Sequence, residues 1–155
     1  MSPILDPALV LARLSSLPVE VHRTGDVVLA TGGITGKLLI LKEGAVEVVR
    51  DGMRLAEVSE PGAVFGELAL LLGRAHTADV RALEPSSFYV ADGRTFLEVD
   101  PTAALYVAVI LAGRLDLVNR YLIEARSQLR PAERGSVLDQ MIDNIAEALR
   151  FGPPM

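Results

Sequence analysis

Residues 62–82 read GAVFGELALLLGRAHTADVRA, and this segment decides the predicted fold. A short, mostly apolar run extends from Phe65 to Leu72 and is followed by Gly73, which is typical of a helix of one or two turns. Strand-like residues resume at Thr77 and continue to Ala82. Because Gly66 has no Cβ, the backbone there can approach a ligand closely, and the N–H groups that begin the helix suit an anion. The pattern predicts an anion-binding turn between strands.

Upstream of this segment, short runs of Val, Leu and Ile recur from Val19 onward, separated by turn residues at intervals of about 8 to 12 positions. Asp51-Gly52 is a strong signal, since Asp-Gly favours a two-residue β-hairpin. Regular short strands with glycine turns are typical of a sandwich or barrel. The predicted fold class is mainly β with flanking α, in the form of a β-roll or jelly roll (double-stranded β-helix).

Helical patterns flank the predicted roll. A short helix begins at Asp6-Pro7, a long one runs from Asp100-Pro101 to Pro131, and a final short one begins after Ser136. The predicted domains are residues 1–130, the roll with its long helix, and 131–155, the last helix and tail. The apolar face of the last helix is predicted to comprise Val137, Met141, Ile145 and Leu149.

The long helix carries apolar residues at alternating spacings of three and four, which is typical of a seam between two helices. This seam comprises Ala108, Leu111, Leu115, Val118, Leu122, Ala125 and Leu129. Two interpretations are open: the stripe packs on its own roll, or it forms a parallel helix pair in a homodimer through residues 101–130. The narrow, regular seam favours the homodimer.

Composition excludes several classes of function. The net charge is −5 with two lysines in 155 residues, which argues against nucleic acid or an anionic membrane as partners. The absence of cysteine excludes disulfides, thiolate zinc sites and a cysteine nucleophile. The two histidines are far apart in the sequence, so no metal site is predicted. The sequence also shows no pair of a nucleophile and a general base, so an enzyme is not predicted. The longest apolar stretch, 103–113, is about half of a bilayer span, so a cytoplasmic protein is expected.

The segment 62–82 resembles the phosphate-binding cassette of the cyclic nucleotide-binding domain family. That family includes catabolite-activator-type regulators, regulatory subunits of cyclic-nucleotide-dependent kinases and cyclic-nucleotide-gated channels. Gly25, Gly36 and Gly44 fall where the family has turns of its β-roll, and the long helix is similar to the family's C-terminal helix. The resemblance covers residues 18–128.

The resemblance implies a site for a 3′,5′-cyclic nucleotide, cAMP or cGMP, without a further cofactor. The residues implied are Phe65, Gly66, Glu67, Leu68, Ala69, His76, Thr77, Ala78, Arg114 and Asn119. Glu67 is implied to accept a hydrogen bond from the ribose 2′-hydroxyl, and Thr77 to contact the phosphate. Arg114 is implied to pair with Glu67 or approach the base, and Asn119 to contact a purine edge. The alternative for Arg114 and Asn119 is that both are solvent-exposed residues that flank the helix seam.

The cassette departs from the family pattern at its end. The family has Pro-Arg followed by a small residue and Ala, whereas this chain has Ala75-His76-Thr77-Ala78. Arginine offers a charged fork, while histidine is shorter and largely neutral above pH ~6.5. Losing a charge-assisted pair weakens phosphate binding by about 1.5–3 kcal/mol.

Three roles are open for His76: a weaker phosphate ligand, a plain pocket residue in a degenerate domain, or a ligand for a metal or haem. If protonated His76 meets the phosphate, the nucleotide stabilises the protein more at pH 6 than at pH 8. Arg74 is either a substitute cation or a solvated loop residue.

The segment after Arg130 is short and more acidic than basic, which argues against a helix-turn-helix and against direct nucleic-acid binding. Two functions follow. The first is a regulatory module that binds a cyclic nucleotide and signals through its C-terminal helix and dimer surface to a separate output protein. The alternative is a degenerate, non-binding β-roll that acts as a dimeric structural or interaction protein.

Overall fold

The structure, a computed structural model, describes residues 2–148, which contain eight strands and five α-helices. The strands are β1 (Val19–His22), β2 (Val27–Leu29), β3 (Lys37–Glu43), β4 (Val46–Arg50), β5 (Met53–Val58), β6 (Val64–Phe65), β7 (Asp79–Ala82) and β8 (Ser86–Asp92). The helices are α1 (Pro7–Ser15), α2 (Glu67–Leu72), α3 (Gly93–Val99), α4 (Pro101–Gln128) and α5 (Val137–Ala148), with a 3₁₀ turn at Pro131–Glu133.

The strands form two antiparallel sheets, ordered β1-β8-β3-β6 and β2-β7-β4-β5. Apolar side chains from both sheets fill the space between them, and the ring of Phe65 meets that of Phe88 edge-on at 6.2 Å. The cluster comprises Leu29, Leu39, Leu41, Val46, Phe65, Val80, Phe88 and Val90. The predicted mainly-β roll with flanking helices is confirmed.

The middle of β3 is buried on both faces. Leu39 and Leu41 point into the core between the sheets, and Leu38 and Ile40 on the opposite face are also buried. Helices α2 and α3 both contact β3. The apolar run in β3 is therefore continuous because α2 and α3 cover the face of this strand that is turned away from the core between the sheets.

The hairpin predicted at Asp51-Gly52 joins β4 to β5. Both residues have positive φ, 51° and 75°, which the tight hairpin turn requires. The strand β5 lies at the edge of its sheet and exposes Met53 and Leu55. Arg54, between these two residues, pairs with Glu47 at 2.7 Å and with Glu57 at 3.2 Å.

Two connections cross between the sheets side by side. One leads from β2 to β3 and the other from β6 to β7, and they are adjacent because β2 pairs with β7 and β3 pairs with β6. Phe65, placed at the start of the cassette helix by its apolar character, instead ends β6. The helix α2 begins one turn residue later, at Glu67, and Gly73 ends it as predicted.

Side-chain caps fix the ends of the helices near the roll. The Asp6 carboxylate accepts a hydrogen bond from the Ala8 N–H at 2.9 Å, which confirms the predicted start of α1. Asp92 caps α3 in the same way through the Thr95 N–H at 2.9 Å. This hydrogen bond lowers the pKa of the Asp92 carboxyl.

The chain divides into two compact units, Met1–Ile110 and Leu111–Met155, each described by itself. The division falls within α4, and the proposed boundary after residue 130 stays a prediction. In the second unit, Arg126 of α4 pairs with Asp143 of α5. Ser136 caps α5 through the Asp139 N–H at 3.2 Å, as predicted.

The apolar face predicted for α5 is exposed over its described part. Val137, Met141 and Ile145 are all exposed, while the neighbouring Ile142 is buried. Leu149, the fourth member of the predicted face, and the predicted tail at 152–155 lie outside the described residues.

Helix α4 is long and apolar enough to cross a membrane by length and composition alone, with a mean hydropathy of 1.5 over its most apolar window. Among residues 2–148 it alone passes this test. One such helix is weak evidence of a membrane span, because helices of soluble proteins also pass this test; only 11% of the apolar window of α4 is buried. Arg114 and Asp116 would both be costly inside a bilayer.

Candidate functional site

A cleft of about 310 Å³ opens where the two crossing connections meet. The β2–β3 connection supplies one wall and the cassette supplies the other. The lining residues are Ile34, Thr35, Gly36, Lys37, Gly66, Ala69, Leu70, Gly73, Arg74 and His76. The volume lies within the range of small-molecule sites.

Gly66 lies where the cassette passes close to the backbone of β3. Its φ is 90°, which favours glycine, and a Cβ at this position would lie 2.6 Å from the Lys37 carbonyl oxygen. Any side chain at position 66 would therefore force the cassette away from β3. Glycine at position 66 lets the two walls approach each other and lines the cleft itself.

His76 connects the two walls through its backbone. Its N–H donates to the Gly33 carbonyl at 2.9 Å, and its own carbonyl accepts from the Gly32 N–H at 2.8 Å. This pair of hydrogen bonds fixes the end of the cassette against the β2–β3 connection.

The His76 side chain makes a further link within the cleft. The ring is buried, 8% exposed, and its Nε2 lies 3.1 Å from the Thr35 hydroxyl oxygen. That hydroxyl also accepts from the Lys37 N–H at 3.2 Å. The tautomer of His76 decides which group donates in the bond to Thr35.

The imidazole packs between two glycines. A Cβ at Gly66 would lie 3.6 Å from the ring's Cε1, and a Cβ at Gly33 would lie 3.6 Å from its Cδ2. Ring carbons on either side of Nε2 therefore face glycine backbone.

Two cations line the cleft, and they differ in their partners. Lys37 Nζ donates to Glu20 Oε1 at 3.0 Å. Arg74 follows the helix-ending Gly73, and its N–H donates to the Ala69 carbonyl at 3.0 Å. Within residues 2–148, the exposed Arg74 guanidinium has no ion-pair partner.

Of the residues predicted for the site, the cleft brings together Gly66, Ala69 and His76. Glu67 is buried at the start of α2, 3% exposed, and Leu68 is exposed. Phe65 lies in the core between the sheets, so its contribution is to packing. Thr77 and Ala78 are half-buried and do not line the cleft.

Arg114 and Asn119 lie on α4 in the second compact unit. Both are exposed within it, and Arg114 makes a polar interaction of its own. Their predicted roles toward a nucleotide stay predictions.

The sequence interpretation missed the β2–β3 wall of the cleft, above all Thr35. The glycines at positions 32, 33 and 36 are typical of a turn in this connection. No local pattern showed that strand pairing would bring this turn against the cassette, because the contact between Thr35 and His76 spans 41 residues.

Among residues 2–148, no three His, Asp or Glu side chains come together to hold a metal ion. His22 Nε2 lies 3.6 Å from Glu20 Oε2, and its ring meets Phe88 edge-on at 5.7 Å.

Comparison with known proteins agrees with this geometry. The cyclic nucleotide-binding domain model matches residues 19–100, more than half of the chain. The chain therefore belongs to the cyclic nucleotide-binding domain family, and the resemblance inferred from the cassette is confirmed.

Similar proteins include channels and a bacterial regulator. The potassium/sodium hyperpolarization-activated cyclic nucleotide-gated channel 3 of Mus musculus is 30% identical over 87% of this chain and 18% of the channel. Channel 2 of Mus musculus is 35% identical over 74% of this chain and 14% of the channel. The chain thus spans less than a fifth of these channels.

Among solved structures, the catabolite activator protein of Thermus thermophilus superposes with a TM-score of 0.64. The match covers 97% of this chain and 89% of that protein at 21% identity, which shows the fold alone.

Proposed function

We propose that this chain is a regulatory module that binds a 3′,5′-cyclic nucleotide, cAMP or cGMP, in the cleft between the cassette and the β2–β3 connection. The observation that carries the proposal is the cleft itself, open at Gly66 and built from the cassette of a family defined by cyclic-nucleotide binding. Gly66 keeps the cassette backbone within reach of a phosphate.

Within this proposal the cassette supplies the contacts to sugar and phosphate. Glu67 accepts from the ribose 2′-hydroxyl, and backbone N–H groups from Gly66 to Ala69 face the phosphate. Thr77 and Ala78 complete the cassette end. The module is cytoplasmic and not an enzyme, and it signals through α4 and the dimer surface to a separate output protein.

Thermal denaturation with added nucleotide tests the proposal. A ligand at ten times its Kd adds about 1.4 kcal/mol of stability, which raises Tm by several degrees. We expect cAMP or cGMP at millimolar concentration to raise Tm, and 5′-AMP and 5′-GMP, which lack the ring phosphate, to have a smaller effect. No shift with either cyclic nucleotide, at pH 6 or at pH 8, would overturn the proposal.

The second candidate is a β-roll that has lost nucleotide binding and acts as a dimeric interaction protein. It is favoured by His76, which replaces the family's arginine and whose Nε2 is already bonded to Thr35. The same titration separates the two functions, because this candidate predicts no shift with any nucleotide while self-association persists.

A further inference from the structure

We propose that Arg74, not His76, supplies the positive charge that holds the ligand's phosphate, and that His76 serves to join the two walls of the cleft. This inference rests on the proposed function, because it names the charged group of that same site.

The position of His76 favours a structural role. Its backbone is bonded to Gly32 and Gly33, and its Nε2 to Thr35, so it contacts the opposite wall at three points. The ring is buried, and its carbons face the backbone at Gly33 and Gly66. To hold a phosphate through Nε2, the imidazole would have to give up the bond to Thr35.

Arg74 meets the requirements of a phosphate clamp. It lines the same cleft, and its backbone is held at the end of α2 by the hydrogen bond to Ala69. Its guanidinium is exposed and has no ion-pair partner within residues 2–148, so binding an anion breaks no existing pair. Arginine stays charged at pH 6 and at pH 8 and offers two parallel N–H donors to a phosphate.

Lys37 is the second cation of the cleft, and it serves as the control. Its ammonium is held by Glu20 at 3.0 Å, so recruiting it to a phosphate would cost that pair. Arg74 and Lys37 are thus both positively charged residues that line the cleft. They differ in that, within residues 2–148, Lys37 has an ion-pair partner and Arg74 has none.

The experiment compares wild type, Arg74→Gln and Lys37→Gln by calorimetric titration with cAMP and cGMP, and with adenosine and guanosine as phosphate-free probes. We expect Arg74→Gln to weaken cyclic-nucleotide binding about tenfold or more, the effect of losing one charge-assisted hydrogen bond. Lys37→Gln should change it less than about threefold. The nucleosides should bind Arg74→Gln and wild type equally.

A pH comparison provides an independent readout. The charged side chains that line the cleft together with His76 are Arg74 and Lys37. If Arg74 carries the charge, the wild-type affinity for cyclic nucleotide changes little between pH 6 and pH 8. If His76 carries it, binding is tighter at pH 6.

The outcomes separate this inference from the function on which it rests. If wild type binds a cyclic nucleotide and Arg74→Gln binds it equally well, Arg74 is not the clamp and the proposed function stands. If wild type binds no cyclic nucleotide at either pH, the proposed function and this inference both fail. Arg74 is exposed, so its variant should keep the wild-type Tm without ligand.

Discussion

At position 76, the backbone and the side chain have separable roles. The two backbone hydrogen bonds to Gly32 and Gly33 do not involve the side chain, so any residue except proline can form both of them at this position. The side chain adds the contact to Thr35 at 3.1 Å. The side chain at position 76 can therefore be substituted while the backbone hydrogen bonds between the two walls are kept.

We expect His76→Arg to tighten cyclic-nucleotide binding, because it restores the charged fork at the family's position. The gain should be about tenfold, again the effect of one charge-assisted pair, measured by the same titration. His76→Gln is the matched control, since it can bond Thr35 but adds no charge. An unchanged affinity in His76→Arg would show that position 76 does not face the phosphate.

The same substitution can be tested in the Arg74→Gln background. If the cleft needs one arginine near the phosphate, His76→Arg should restore much of the affinity that Arg74→Gln loses. A double variant as weak as Arg74→Gln alone would argue against a shared phosphate position.

At the level of elements, the start of β7 is tied to the β2–β3 connection by Asp79. Its carboxylate accepts from the Thr31 N–H at 2.7 Å, and this hydrogen bond lowers the pKa of Asp79. A lowered folded-state pKa means that the charged form stabilises the fold. The contribution is complete above the unfolded pKa of ~3.9 and is lost as the pH falls through the folded value.

Asp79→Asn should therefore lower Tm at neutral pH by removing the charge while keeping an oxygen that can accept from Thr31. The difference in Tm from wild type should shrink as the pH is lowered below ~4. Asp79→Ala, which also loses the acceptor, should have the lower Tm of the two variants at pH 7. A difference between wild type and Asp79→Asn that does not vary with pH would contradict the role of the charge.

The sequence predicted the elements better than their contacts. Asp6-Pro7, Asp51-Gly52, Gly73 and Ser136 each marked a boundary correctly, because caps and tight turns depend on residues within a few positions. Phe65 was placed in a helix, since a short apolar run fits a buried strand end equally well.

The site was only partly predictable for the same reason. The cassette wall is one continuous segment that a sequence pattern can show, and Gly66, Ala69 and His76 were predicted from it. The wall at Thr35 and the cleft position of Lys37 depend on strand pairing between distant segments. Likewise, the apolar face of α5 was predicted from periodicity alone. Periodicity shows which residues share a face of the helix, but it does not show whether another element packs against that face.

At the scale of the whole molecule, the predicted dimer concerns α4. Within residues 111–148, Leu115 and Val118 of the seam are exposed, 47% and 46%, and its other members are half-buried: Leu111, Leu122, Ala125 and Leu129. Tyr121 and Ile123, outside the seam, are exposed as well. Exposed apolar residues along one helix are compatible with the predicted association, because apolar surface patches are typical of protein–protein contacts. The heptad spacing favours a second copy of this chain.

Light scattering should give about twice the chain mass of 16.6 kDa. Leu115→Glu should shift the protein towards monomer, because it puts a charge in the seam. Leu117→Glu is the matched control, since Leu117 is equally exposed, 49%, but lies off the seam. Wild type at the monomer mass, or equal effects of the two variants, would contradict a dimer through this seam.

The exposed edge of the sheet at β5 is a place where two molecules could associate through their strands at high protein concentration. Among the described residues, no strand pairs with the outer side of β5, so its backbone donors and acceptors there are free of a strand partner. Met53 and Leu55 add an exposed apolar surface. A strand from another molecule could therefore extend the sheet at this edge. Arg54 and Glu57 oppose such growth, because joining two copies of this edge would partly desolvate their charges. The charged side chains of β5 are therefore expected to disfavour the addition of a further strand at this edge of the sheet.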